Sequence, residues 1–192
     1  VHGLVRIGPQ VVLAYLARLA ERLQWDELTR NALERSRIAA ITLLNPVGMR
    51  AGTRAIGSGV DLMRNGPAKG NGQASWFVGG QRLSPLLPWY MGKKGRLEPE
   101  AEALIDFVAE QLVSSVAAIA LDVHSGFGFQ DRLWFPYAHT RRPFPHAPEA
   151  YALYELLNQT LPHHIYRMEP VSASYTIQGD LWDFMYEQAC KH

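Results

Sequence analysis

The stretch Ile119-Ala120-Leu121-Asp122-Val123-His124-Ser125-Gly126 decides the expected fold. The apolar residues 116–121 predict a buried strand, because a short run of such side chains is typical of a strand covered on both faces. This strand would run into His124 and then a glycine. Open α/β sheets bind their ligands at the carboxyl ends of the strands. We therefore expect the functional site to be organised around His124.

Composition limits the classes of protein to which the chain can belong. Its 192 residues are 47% hydrophobic and 19% charged, which is typical of one folded domain. The net charge of +1 argues against a nucleic-acid partner, and no apolar run is long enough for a membrane span. The one cysteine, Cys190, excludes an internal disulfide and a cysteine-built zinc site. We expect a cytoplasmic protein without a nucleic-acid or membrane partner.

The chain alternates between predicted strands and predicted helices, which indicates an α/β domain. Apolar residues at helical spacing predict helices at residues 9–23, 25–35, 98–112, 149–161 and 180–190. One strand is predicted to end near the N-terminus. Three others are predicted to cover residues 38–44, 116–121 and 163–168. Residues 49–97 and 126–148 are predicted to be irregular.

Short motifs follow one another along nearly the whole chain. They are His2-Gly3-x-x-Arg6, Asn45-Pro46-x-Gly48, Gly52-Thr53-Arg54, Val60-Asp61-Leu62-Met63-Arg64-Asn65, Asp122-Val123-His124-Ser125 and Ser174-Tyr175-x-x-x-Gly179-x-x-x-Asp183. Each is modest alone, since a histidine at a strand end is often only a hydrogen-bonded loop residue. Their order resembles the zinc carboxypeptidase family, the funnelin-type metallocarboxypeptidases.

The resemblance implies a fold and a domain organisation. It implies a three-layer α/β/α sandwich with a mixed central sheet, in a single zinc carboxypeptidase-like domain over residues 1–192. The family's first strands would then lie before Val1. Its last strand and helix, with the glutamate that serves as general base, would lie beyond His192.

The resemblance also implies roles for individual residues. His2 and His124 correspond to zinc-binding histidines, so one Zn²⁺ site is expected. Arg54 corresponds to the arginine that stabilises the oxyanion, and Tyr175 to the mobile tyrosine that closes over the substrate. Arg64 corresponds to the arginine that holds the substrate's terminal carboxylate, for which a planar guanidinium is well suited. A catalytic zinc ion keeps an open position for water, whose pKa it lowers to about 7.

The sequence departs from the family pattern at two of these positions. Val5 stands where the family has a glutamate ligand, three residues after the first histidine. Met63 stands where the family has an asparagine beside the carboxylate-binding arginine, although we keep Met63 as a substrate-binding position. Asp122, two residues before His124, can orient that imidazole as a hydrogen-bond acceptor.

Three functions stay open at this point. The first is a metallopeptidase that hydrolyses an amide bond of a peptide or peptide-like substrate. The second is an amidohydrolase of the aspartoacylase and succinylglutamate desuccinylase branch, whose partner would be an acylated amino acid. The third is a binding module that kept the fold and lost the chemistry, which Val5 and Met63 favour. Metal content separates the third from the first two, and substrate length separates the first from the second.

Overall fold

A computed structural model describes residues 2–68, 74, 76–125 and 128–191. Gly126, which ends the opening motif, lies outside the described residues. The helices are α1 (Ile7–Arg22), α2 (Glu27–Glu34), α3 (Pro46–Ala51), α4 (Pro99–Leu112), α5 (Ala147–Thr160), α6 (Val171–Ser174) and α7 (Leu181–Ala189). A 3₁₀ turn covers Leu62–Arg64, and the strands are β1 (Arg132–Phe135) and β2 (Arg167–Pro170).

Local sequence signals determine where most helices begin. The side chains of Asp26, Asn45 and Asp180 each accept a hydrogen bond from the backbone N–H three residues further on, and so cap α2, α3 and α7. The five predicted helices are confirmed as α1, α2, α4, α5 and α7. Within the described ranges, no helix combines the length and the apolar character that crossing a membrane requires.

The core lies between α4 and α7. Ala101 and Leu104 come from one turn of α4, and Leu181 and Met185 from one turn of α7. Leu62 of the 3₁₀ turn is buried in the same cluster, with 1% of its surface exposed. Residues three and four apart share a helix face, so each helix buries one stripe. Because Leu62 is anchored here, the residues that follow it have a fixed position.

The described part of the chain contains a small parallel sheet. β1 and β2 pair with Arg132 opposite Arg167 and Phe135 opposite Pro170. The chain returns between them through α5, as parallel strands require. The predicted α/β class is confirmed, with two parallel strands as the sheet of the described residues.

The predicted strands at residues 38–44 and 116–121 are wrong. Both segments are irregular, and Ile41 and Leu121 are 36% and 80% exposed. An apolar run favours extended backbone, but a strand also needs a neighbour for its N–H and C=O groups. No described segment pairs with either run. The strand end predicted at the N-terminus stays a prediction, because Val1 lies outside the described residues; a turn follows at residues 3–4.

The observed strands lie partly where none was predicted. β1 falls inside residues 126–148, which were predicted to be irregular, and β2 begins four residues later than the strand predicted at residues 163–168. β1 has only four residues, too few for a clear alternation of side chains. Its pairing with a segment more than thirty residues away makes it a strand, and this pairing is not visible in local sequence.

Candidate functional site

The structure brings His2 and His124 together. Their rings meet edge to face, with centroids 4.8 Å apart. His2 is buried and opens a turn in which the N–H of Val5 donates to its carbonyl oxygen. The start of α1 then packs against the segment that holds His124. A side chain at Gly8 would lie 2.5 Å from the carbonyl oxygen of Val123, so this close approach needs glycine.

The carboxylate of Asp122 orients the imidazole ring of His124. Its Nδ1 lies 2.8 Å from Asp122 Oδ1, and the indole Nε1 of Trp182 donates to Asp122 Oδ2 at 2.9 Å. Burial alone would raise the pKa of Asp122, but the hydrogen bonds from His124 and Trp182 hold it below its usual value. An imidazole that donates Nδ1–H to a carboxylate keeps the lone pair of Nε2 available for a metal ion.

His2 has the properties of a metal ligand. Its Nδ1 is buried without a hydrogen-bond partner among the described residues, although Asp61 Oδ1 lies 3.7 Å away. Burial lowers the pKa of His2 to about 3, so the ring is neutral at neutral pH, as a metal ligand must be. A buried polar atom without a partner calls for an explanation, and a bound ion would supply one.

Among the described residues, no third metal-ligating side chain joins His2 and His124. Across the described ranges, no group of three or more histidine, cysteine or carboxylate side chains is placed to hold a metal ion. Val5, three residues after His2, is 6% exposed and offers no donor atom. The two imidazoles therefore suit a zinc ion as ligands. Val5, at the position of the family's third ligand, adds no further ligand atom.

Asp61 connects this pair to the two predicted arginines. Its Oδ2 accepts hydrogen bonds from Arg54 Nε at 2.8 Å and from Arg64 Nη1 at 2.7 Å. Its Oδ1 accepts the backbone N–H of Met63, whose side chain is partly buried. Although burial would raise it, the pKa of Asp61 lies below its usual value because Arg64 and Arg54 favour the carboxylate.

The two arginines differ in accessibility. Arg54 keeps 35% of its side chain exposed, whereas Arg64 keeps 2%. Besides its bond to Asp61, Arg64 donates from Nε and Nη2 to the carbonyl oxygen of Val78. Burial lowers the pKa of Arg64, and Asp61 opposes that effect. Arg54 is therefore the cation that faces solvent, and the guanidinium of Arg64 is directed into the protein.

Tyr175 lies in the same neighbourhood. It follows α6 directly, its backbone is extended, and its ring meets that of Trp134 edge to face at 6.2 Å. Burial raises the pKa of Tyr175, against the opposing charges of Arg64 and Arg54. The arginines and the tyrosine thus act on one another electrostatically, as residues around one site do.

Comparison with known proteins identifies the scaffold. The family model described as zinc carboxypeptidase, peptidase M14, matches residues 1–192. The chain belongs to the zinc carboxypeptidase family. Among solved structures, thrombin activatable fibrinolysis inhibitor (TAFI) superposes with a TM-score of 0.75 at 20% sequence identity. That match covers 100% of this chain and 50% of that one, and at this identity it shows the fold. The curated proteins give no match.

Two residues of this candidate site had no role in the sequence prediction. Asp61 was part of the motif Val60-Asp61-Leu62-Met63-Arg64-Asn65, and the signal was its buried setting between apolar neighbours, where a carboxylate needs a cationic partner. Trp182 lies in the helix predicted at residues 180–190 and was given no functional role. Its hydrogen bond to Asp122 joins residues 60 positions apart, and no local pattern indicates such a contact.

Proposed function

We propose that this member of the zinc carboxypeptidase family is a zinc-dependent hydrolase that cleaves an amide bond of a peptide. The observation that carries the proposal is the convergence of His2 and His124, with Nδ1 of His2 buried and without a hydrogen-bond partner in the described part of the chain. A buried neutral imidazole beside a second, carboxylate-oriented imidazole supports a metal site. The family supports zinc as the metal.

The surrounding residues suit such a reaction. A zinc ion held by His2 and His124 would polarise the scissile carbonyl and lower the pKa of a bound water. Arg54, fixed by Asp61 and partly exposed, would donate to the developing oxyanion. Tyr175 would cover the bound substrate. Arg64, with Met63 beside it, would anchor a substrate carboxylate by exchanging a bond that it now makes to Val78.

One observation favours a second candidate, a binding module without catalysis. Val5 gives the pair of histidines no carboxylate ligand, and two imidazoles hold zinc more weakly than a full set of three protein ligands. In this case the same pocket would bind a peptide without cleaving it.

Zinc content tests the proposal directly. The protein is purified without chelators and its metals are quantified by plasma mass spectrometry, for the native chain, His124→Ala and His163→Ala. His163 is exposed in a loop and serves as the matched histidine control. We expect about one zinc per chain in the native protein and in His163→Ala, and loss in His124→Ala. Folded protein that takes up no added zinc would overturn the hydrolase and favour the binding module.

Substrate length then identifies the reaction. The zinc-loaded protein is incubated with peptides of two to four residues that are blocked at the N-terminus. N-acylated single amino acids are tested separately. We expect release of a C-terminal residue from the peptides, and loss of that activity in His124→Ala. Cleavage confined to the acylated amino acids would assign the chain to amidohydrolase chemistry instead.

A further inference from the structure

One carboxylate joins β1, β2 and α6 immediately before Tyr175. Glu169 Oε1 accepts the indole Nε1–H of Trp134 and the hydroxyl of Ser174, both at 3.1 Å. The Nε of Arg132 lies 3.3 Å from the same oxygen. Glu169 keeps 28% of its side chain exposed, so the carboxylate stands at the edge of the sheet.

The strand register places these groups. Trp134 is the direct partner of Glu169 across the parallel pair, so their side chains leave the sheet on the same face. β2 runs without a break into α6, a single turn of helix, and Ser174 is its last residue. The side chain of Glu169 thus contacts the last residue of the helical turn that follows it, and this residue precedes Tyr175 directly.

The next residue is Tyr175, and two contacts from Glu169 lead to it. The first runs through Ser174, its neighbour in the chain. The second runs through Trp134, whose ring meets the tyrosine ring edge to face with centroids 6.2 Å apart. The backbone N–H of Tyr175 donates to the carbonyl oxygen of Val171 at 3.3 Å. The contacts through Trp134 and Ser174 add to the constraint that this backbone bond provides.

A carboxylate suits this task better than a neutral acceptor. A charged oxygen accepts stronger hydrogen bonds than a neutral one, and it can accept from an indole and a hydroxyl while it also attracts a guanidinium. Arg132 also lies with its guanidinium carbon 5.9 Å from the centre of the Trp134 ring. The cation and the carboxylate therefore hold the indole from its face and from its N–H edge.

We propose that Glu169 is a positioning residue that sets the orientation of Tyr175 through Trp134 and Ser174. The inference rests on the proposed function, in which Tyr175 covers the bound substrate. Glu169 itself makes no contact with substrate in this scheme. Its effect on turnover passes entirely through the tyrosine.

Fluorine NMR tests the positioning without any activity. Fluorotyrosine replaces Tyr175, and its resonance is compared in the native background, Glu169→Gln, Glu169→Leu and Glu155→Gln. Glu155 is an exposed carboxylate on α5 and is the matched control. We expect one narrow resonance in the native protein and Glu155→Gln. We expect a shifted or broadened resonance in Glu169→Leu, and a smaller change in Glu169→Gln, which keeps an acceptor oxygen.

An unchanged resonance in folded Glu169→Leu would overturn the proposal. If thermal unfolding shows that Glu169→Leu does not fold, Ser174→Ala and Glu169→Gln decide the question. Each removes or weakens one link and leaves the apolar contacts of the sheet in place. A native-like resonance in both of these variants would equally overturn it.

A double-mutant cycle on the zinc-loaded protein separates positioning from general destabilisation. We expect Glu169→Leu to lower kcat/KM for a peptide about tenfold, and to have no further effect in a Tyr175→Ala background. Equal losses in both backgrounds would contradict an action through the tyrosine. If no variant cleaves peptides, the proposed function fails, while the fluorine resonance still decides whether Glu169 positions Tyr175.

Discussion

Asp61 is the residue on which the candidate site depends most. It is 1% exposed, it binds Arg54 and Arg64, and its Oδ1 lies 3.7 Å from the buried Nδ1 of His2. A buried carboxylate is stable only when it is paired and hydrogen-bonded. Its two arginines satisfy that condition, and in return it holds both guanidinium groups in place. A single side chain thus connects the candidate metal ligands to the cations.

Val5 gives the most direct residue-scale prediction. Val5→Glu places a carboxylate in the turn that begins at His2, where the family has its third ligand. We expect zinc affinity to rise at least about tenfold over Val5→Gln, a neutral control of similar size, because zinc sites prefer a third protein ligand. Titration calorimetry measures the affinity.

The stability of Val5→Glu should depend on zinc as well. Without metal, the buried carboxylate is unpaired and should lower the melting temperature, and excess zinc should restore it. Equal zinc affinities for Val5→Glu and Val5→Gln would show that this turn does not face the metal.

Asp180 is a buried carboxyl group whose pKa is raised in the folded state. It caps α7 from a buried position, and burial together with the nearby charge of Asp183 raises the pKa of Asp180 to about 8, from 3.8. Asp183 accepts hydrogen bonds from the backbone N–H groups of Ala138 and His139 and contacts Nδ1 of His139. The two carboxylates thus differ in role, since one caps a helix and the other binds a loop.

The second prediction concerns the pH dependence of stability. Between about pH 4 and 8 the folded state keeps the Asp180 proton that the unfolded state releases, so the free energy of unfolding falls as pH rises. Asp180→Asn cannot lose a proton and still caps the helix. We expect this variant to be more stable than the native protein by roughly 2 kcal/mol or more at pH 8, and to lose the decline.

Urea unfolding at a series of pH values measures the effect. Asp106→Asn, at an exposed position on α4, serves as the control and should keep the native pH dependence. If the stability of Asp180→Asn falls with pH as steeply as that of the native protein, the titrating group lies elsewhere.

At the scale of elements, the segment before α7 is held against the 3₁₀ turn. The N–H of Gly66 donates to the carbonyl oxygen of Gly179, and the N–H of Gly179 donates to that of Ala68. Gly179 has φ +71, and a side chain there would lie 2.1 Å from the carbonyl oxygen of Arg64. Backbone atoms on both sides of this contact leave no room for adjustment.

The third prediction separates crowding from backbone strain. Gly95 has a similar φ, +75, but nothing lies within 4 Å of an added Cβ. We expect Gly95→Ala to cost about 1 kcal/mol, from the left-handed backbone alone, and Gly179→Ala about 3 kcal/mol or more. Chemical denaturation of both variants measures the difference. Equal costs would mean that the two segments are not in contact.

At the scale of the whole molecule, much apolar surface is uncovered. Val116, Ile119 and Leu121 are 109%, 60% and 80% exposed. Trp25, just before α2, is 67% exposed, and Leu28, within α2, is 81% exposed. Large apolar side chains exposed to this extent favour association, and a net charge of +1 provides little repulsion between copies.

The fourth prediction follows from that surface. We expect the 192-residue chain to self-associate at micromolar concentration, and the pair Ile119→Lys and Leu121→Lys to reduce the association. Sedimentation velocity over a range of concentrations measures it. Leu86→Lys, at another exposed leucine in a separate loop, is the control. A monomer at all concentrations would show that the apolar run does not mediate contacts between copies.

The sequence by itself determined five of the seven helices in the described residues, the family and the pair of candidate metal ligands. Helices follow from signals within a few residues, namely apolar spacing and capping side chains, so five were predicted correctly. The motif order identified the zinc carboxypeptidase scaffold, and His2 and His124 do meet. These features are local, or depend on order along the chain, and a sequence records both.

Only the tertiary structure decided which groups pair. Residues 38–44 and 116–121 have the composition of strands and are not strands, while β1 became one by pairing with β2. Likewise, the resemblance of the motif assigned Arg64 to a substrate carboxylate, but only the fold shows that its guanidinium also donates to Asp61 and to the carbonyl oxygen of Val78. Strand pairing and buried hydrogen bonds join residues that are distant in the chain, so their partners are set by packing and not by local sequence.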